Sequence, residues 1–225
     1  MEKERRGEAG KGNVMNAVLE KIGLMKLVPA VILHNVEDAS PLAEALVKGG
    51  LPCAEVTFRT TAAAEAIRIM AKRGDILVGA GTVLTVDQVN QAVDNGAAYI
   101  VAPGLSEKVT GYCVEKNIPI VPGASTSTEI MRAFEFGLEV VKFFPADACG
   151  GLKALKALSG PFPMMRFIPT GGIDTVNMLE YLKFQKVLAC GGSWMVKPDL
   201  IKEKKFDEIQ KITHQAVTLA LSIKG

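Results

Sequence analysis

Short apolar runs alternate with amphipathic stretches along nearly the whole chain. The opening stretch, Val14 to Leu27, spaces Met15, Val18, Leu19, Ile22 and Met25 along one face, with Asn13 placed as N-cap, and so predicts a helix. A repeating pattern follows. Val28–His34, Cys53–Phe58, Leu77–Val83 and Tyr99–Pro103 read as strands, each followed by a helical pattern, at Val36–Lys48, Ala62–Lys72, Val86–Asn95 and Ser106–Lys116. Pro119–Ala124, Val140–Pro145, Arg166–Gly171 and Lys186–Gly192 continue the series, with helices over Ser127–Phe136, Gly151–Leu158, Thr175–Lys183 and within Leu200–Ile223. The result is eight strand–helix units.

Strand starts recur about every 23 residues, close to the minimum for a strand, a helix and two short turns. Strands separated by helices lie parallel, and eight such units close into a (β/α)8 TIM barrel. The rival is an open doubly wound sheet. Its nucleotide fingerprint is incomplete here, because Gly79-Ala-Gly81-Thr-Val-Leu84 lacks the third glycine. No linker divides the chain, so residues 14–225 are expected to form one α/β barrel with an extra N-terminal helix. Residues 1–13 are charged and lack an apolar core; they read as a disordered tail, neither a signal peptide nor a membrane anchor.

Composition narrows the partners. A net charge of +2 over 225 residues offers no bulk electrostatic surface for nucleic acid or membrane, and 48% hydrophobic content suits a large core. Small molecules and further copies of the chain are the expected partners. Four cysteines, at 53, 113, 149 and 190, show no paired spacing and read as reduced thiols of a cytoplasmic protein. The two histidines, His34 and His214, have no companion ligands at metal-site spacing, so neither a metal nor a cofactor is expected. His34, at a predicted strand end, could touch a ligand or simply be hydrogen-bonded structure.

One stretch breaks the apolar pattern. Lys142 sits among Val140, Val141, Phe143 and Phe144, inside the sixth predicted strand. A lysine in such a run either snorkels, makes an internal ion pair, or loses its proton and becomes a nucleophile. In a barrel the chemistry lies at the C-terminal strand ends, where Glu55, Thr57, Arg59, Thr82, Lys142 and Thr170 would converge. A neutral lysine attacks a ketone, and the protonated imine then acts as an electron sink for carbon–carbon cleavage. Glu55 would shuttle protons, and Arg59 would grip a substrate carboxylate as a fork. A plain Glu55–Arg59 salt bridge is the competing reading of that pair, but the convergence on one barrel end favours chemistry.

The seventh and eighth units add glycine pairs directly after a strand, Gly171-Gly172 and Gly191-Gly192, the second followed by Ser193. Glycines let backbone N–H groups approach an anion, and phosphate sites of such barrels favour these two loops; a tight turn is the alternative.

Gly50 through Arg59 and Gly137 through Gly150 resemble, respectively, the catalytic-glutamate and Schiff-base-lysine segments of the class I 2-keto-3-deoxy-6-phosphogluconate (KDPG) and 4-hydroxy-2-oxoglutarate (KHG) aldolases. The resemblance runs from about Val28 to the last helix. It implies that Lys142 forms the Schiff base, that Glu55 shuttles protons, and that Arg59 and Thr82 hold the pyruvyl carboxylate. It also implies that Pro103 and Phe144 line the pyruvyl pocket, that Thr170 helps set stereochemistry, and that Gly171, Gly172, Gly192 and Ser193 hold a phosphate. A keto-acid substrate, the eight-stranded barrel and a homotrimer come with it. One departure concerns the first strand, Val28 to Leu33, which carries no cation toward the phosphate, leaving unphosphorylated 4-hydroxy-2-oxo acids open as substrates. A phosphosugar isomerase or epimerase with Glu55 as base, and a non-catalytic sugar-phosphate-binding protein, are the alternatives.

Overall fold

The structure, a computed structural model, describes residues 17–223. The predicted tail and the first three residues of the predicted first helix lie outside them. Helix α1 covers Ala17–Met25 and buries Leu19 and Ile22. After it, strands and helices alternate as the apolar pattern predicts: β1 Leu27–Val31, α2 Ala39–Lys48, β2 Cys53–Thr57, α3 Ala63–Lys72, β3 Leu77–Gly81 and α4 Val86–Asp94. The series continues with β4 Tyr99–Val101, α5 Glu107–Glu115, β5 Ile120–Val121, α6 Ser127–Glu135, β6 Val140–Phe143, α7 Gly151–Ser159, β7 Arg166–Pro169, α8 Met178–Leu182 and β8 Cys190–Gly192. Two helices close it, α9 Pro198–Lys202 and α10 Phe206–Leu221, where the sequence predicts one; Lys204, between them, has a left-handed backbone (φ 57°) that no α-helix passes through.

All strand pairings are parallel. Six strands run in the order β5-β4-β3-β2-β1-β8, and β6 pairs with β7. Single parallel bridges connect the two groups: Gly123 with Lys142 beside β5, and Phe167 with Val187 and Thr170 with Gly191 toward β8. The sheet is thus curled, with an inner face and a helix-covered outer face. Every residue of β2 is buried, because alternate side chains enter the interior (Cys53, Glu55, Thr57) or pack under the helices (Ala54, Val56).

The helices bury narrow stripes. In α2 the stripe is Ala39, Leu42, Ala43 and Leu46; in α3 it is Ala63, Ala66, Ile67 and Met70, a spacing of three and four that matches 3.6 residues per turn. Their starts are specified locally. Thr85 and Ser106 accept backbone N–H bonds at the first turns of α4 and α5, and Thr126 with Glu129 forms a reciprocal capping box on α6. The loops at the C-terminal strand ends carry the site.

Candidate active site

Lys142 is fixed at its root. Its N–H donates to the Pro122 carbonyl at 2.9 Å, its own carbonyl accepts from Ala124 N–H at 2.8 Å, and its β7 partner is Ile168. Glu55 is held equally firmly, between Ala30 of β1 and Gly79 of β3. The two side chains meet inside the curled sheet. Lys142 Nζ lies 3.1 Å from Glu55 Oε1, and the residues are 7% and 3% exposed. Nζ also stands 5.2 Å from the centre of the Phe144 ring, which shields it from water.

The internal ion pair weighed in the sequence is therefore present, and its acidic member is Glu55. No carboxylate among the described residues pairs with Arg59, which overturns the expected competition between a Glu55–Arg59 bridge and chemistry. Arg59 is exposed in the turn after β2 and lines the same cavity as Glu55.

Around the ion pair lies a cavity of about 330 Å3. Glu55, Thr57, Arg59, Lys142, Phe144 and Thr170 all line it, together with Gly171, Gly172, Gly192 and Ser193 of the two glycine loops. Thr82 and Pro103 do not. Thr82 follows β3 with a left-handed backbone, φ 55°, a strained conformation for a β-branched residue. Three lining residues escaped the sequence reading: Ala30 and Ile32 from the first strand and its loop, and Ile173 beyond the glycines. Periodicity treats them as core, because an apolar wall of a cavity and an apolar contact of a core have the same pattern. His34 is exposed and lines a different cavity, with Asn35 and Asp38.

The hydroxyls divide in purpose. Thr57 Oγ1 donates to the Val31 carbonyl at 2.8 Å and so ties β2 to β1. Thr170 Oγ1 makes only a long contact, 3.4 Å, to Ile168 O, which leaves it available to a ligand.

The two glycine pairs turn out to be different devices. Gly171 and Gly172 have positive φ, 92° and 76°, and a side chain on Gly172 would strike Asp147 Cβ at 2.3 Å. The turn is held from the far side by Asn177, whose amide donates to Gly172 O at 2.7 Å. Gly191 and Gly192 have ordinary φ; each is bare because another group fills the space. A Cβ on Gly191 would lie 2.2 Å from Thr170 Oγ1, and one on Gly192 would lie 2.1 Å from the Trp194 ring. The close packing, rather than backbone freedom, explains the second pair.

Among the described residues no group of three His, Cys, Asp or Glu side chains is placed to hold a metal ion. The buried thiols are set against reactivity. Burial pushes Cys53 up to about 12, despite its contact with Tyr99 Oη at 3.5 Å, and pushes Cys113 up to about 11.

A buried amine against a carboxylate, with an arginine and two glycine loops lining the same cavity, is an arrangement for a carbonyl substrate that carries anionic groups. Comparison with known proteins agrees in kind. Residues 18–212 match the family model described as KDPG and KHG aldolase. The chain belongs to the KDPG and KHG aldolase family. Within that family it is 46% identical over 206 residues to a 2-dehydro-3-deoxy-phosphogluconate aldolase of Treponema pallidum, covering 91% of this chain and 98% of the relative. It is 44% identical over 192 residues to the KHG/KDPG aldolase of Escherichia coli K12, covering 85% and 90%. A crystal structure of the KDPG aldolase of Legionella pneumophila, with pyruvate captured as a covalent carbinolamine, superposes with a TM-score of 0.85 at 37% identity, covering 88% of this chain and 97% of that one. The curled parallel sheet is thus the family's architecture, and the ion pair sits where that architecture collects its loops.

Proposed function

We propose that the chain is a class I aldolase that cleaves 2-keto-3-deoxy-6-phosphogluconate to pyruvate and glyceraldehyde 3-phosphate through a Schiff base on Lys142. The observation that carries the reading is the 3.1 Å contact between buried Lys142 and Glu55 inside a cavity lined by Arg59 and two glycine loops. Glu55 takes a proton from the Lys142 ammonium, the neutral Nζ attacks the C2 ketone, and Glu55 returns that proton as the carbinolamine oxygen departs as water. The iminium withdraws electrons from C3. A base, for which Glu55 is placed, then takes the C4 hydroxyl proton, the C3–C4 bond breaks, and its electron pair becomes the enamine. Protonation at C3 and hydrolysis release pyruvate and restore Lys142.

Arg59 binds the substrate carboxylate, and Phe144 and Thr170 border the pyruvyl part, Thr170 facing the carbon whose configuration is set. Gly171, Gly172, Gly192 and Ser193 receive the phosphate. Thr82 and Pro103, which follow β3 and β4, complete the carboxylate-binding and pyruvyl-lining set. The same reading takes residues 14–225 as one catalytic domain, a closed (β/α)8 barrel with α1 outside the strand count, and the bridges at both seams support it. It further includes a cytoplasmic homotrimer that uses no metal or cofactor. Among the described residues no helix is long and apolar enough to cross a membrane.

A second substrate, 4-hydroxy-2-oxoglutarate, is favoured by the cavity wall that β1 forms beside the eighth-strand glycine loop. Ala30 and Ile32 make that wall apolar, so no first-strand cation assists a phosphate there. Comparing kcat/KM on the two keto acids measures the difference.

Borohydride reduction in the presence of pyruvate tests the mechanism. It is expected to fix a pyruvate-derived mass on the peptide containing Lys142 and to abolish activity. Absence of an adduct, or an adduct confined to another lysine, overturns the proposal.

A further inference from the structure

Strands β2 and β3 run parallel with Glu55 opposite Gly79 and Thr57 opposite Gly81. The Glu55 side chain does not stay at its own level. A Cβ built on Gly81 would lie 2.3 Å from Glu55 Oε1, 2.6 Å from Cγ and 2.8 Å from Cδ, and these are its three nearest atoms. The carboxylate therefore occupies the volume of an absent side chain two residues, or roughly 6.6 Å, farther along the neighbouring strand. The space beside Gly79 is closed to it, because the Tyr99 ring lies 2.2 Å from where a Gly79 Cβ would be. Oε1, the atom nearest Gly81, is also the atom 3.1 Å from Lys142 Nζ.

Gly81 is not among the glycines with positive φ, so its backbone accepts alanine without strain. What demands glycine there is the carboxylate itself. We propose that Gly81 is a positioning residue for the aldol cleavage: its bare Cα is the seat that holds the Glu55 carboxylate on the Lys142 amine. A methyl at position 81 forces Oε1 to move by several tenths of an ångström or more and redirects the group that must exchange protons at the reacting centre. The inference rests on the aldolase reading given above and extends it to a residue that touches no substrate.

The test is a cycle of four proteins: wild type, Gly81→Ala, Glu55→Ala and the double variant. In Gly81→Ala, kcat is expected to fall about 100-fold, as for a catalytic group misplaced by about 1 Å, while KM stays within about threefold. In the Glu55→Ala background the same methyl meets no carboxylate, so it is expected to change neither kcat nor the rate of pyruvate trapping by more than about twofold. Thermal midpoints carry the cycle independently of activity. Gly81→Ala should lower Tm by about 2–6 °C in wild type and by less than about 1 °C beside Glu55→Ala. Equal losses in both backgrounds overturn the seat, as does Gly81→Ala turnover within threefold of wild type. Should Gly81→Ala not fold, folding of the double variant supports the proposal and its failure to fold overturns it. The wild-type control separates the two ideas: no pyruvate adduct there overturns the aldolase function, whereas a normal adduct leaves only the seat in question.

Discussion

Replacing Lys142 by methionine leaves an unbranched apolar side chain one atom shorter and removes the charge, stranding Glu55 at 3% exposure. At 3.1 Å the two charges attract by about 5 kcal/mol for an effective permittivity near 20, an attraction that offsets the desolvation of both. Without the ammonium, the buried carboxylate is left uncompensated, at a cost of about 3–5 kcal/mol. Adding Glu55→Met removes the stranded group, and the double variant is expected within about 2 kcal/mol of wild type. Urea unfolding of the three proteins at pH 7 measures this. A penalty below about 1 kcal/mol for Lys142→Met, or a double variant no more stable than Lys142→Met, would refute a water-excluded ion pair.

Arg59→Ala should raise KM for the keto acid at least 10-fold in steady-state kinetics while sparing pyruvate-independent folding, since Arg59 has no ion-pair partner among the described residues to lose. Gly172→Ala combines a positive φ with a 2.3 Å collision at Asp147. It is expected to raise KM for the phosphorylated keto acid severalfold more than for the unphosphorylated one, and equal effects would remove the phosphate from that loop. Thr126→Ala deletes a capping box and should cost about 1 kcal/mol by urea unfolding without altering kcat/KM. Cys53 and Cys113, pushed up to about 12 and about 11, should resist a thiol reagent at pH 8 until the protein unfolds, because under about one part in a thousand is thiolate.

The order of elements was legible because burial imposes it locally. A strand covered on both faces must be apolar throughout, and a helix lying on it must be apolar along one stripe; both patterns are visible without knowing what they pack against. Strand ends were less legible. The apolar runs Val28–His34 and Tyr99–Pro103 outlast β1, which stops at Val31, and β4, which stops at Val101. Ladder hydrogen bonds, not hydrophobicity, define a strand, and near the mouth the chain leaves its neighbours while Leu33 and Ala102 stay buried. The break between α9 and α10 hangs on the backbone of Lys204, a residue type with no preference for a left-handed turn.

For the site, a lysine within Val140–Phe144 announced itself by chemistry that a core rarely needs, whereas the glycine pairs after the seventh and eighth strands read equally as turns. The sequence by itself thus determined that a charged nucleophile candidate stands on one strand and a carboxylate on another. Only the tertiary structure decided that Glu55 pairs with Lys142, 87 residues away, and not with Arg59, four residues along its own segment. It also decided that Gly81 and Gly191 are bare to make room for Glu55 and Thr170. The reason is geometric. Periodicity tells which way a side chain points from its own strand, but the curl of the sheet sets which side chains from different strands arrive at the same point and which must be missing for them to fit.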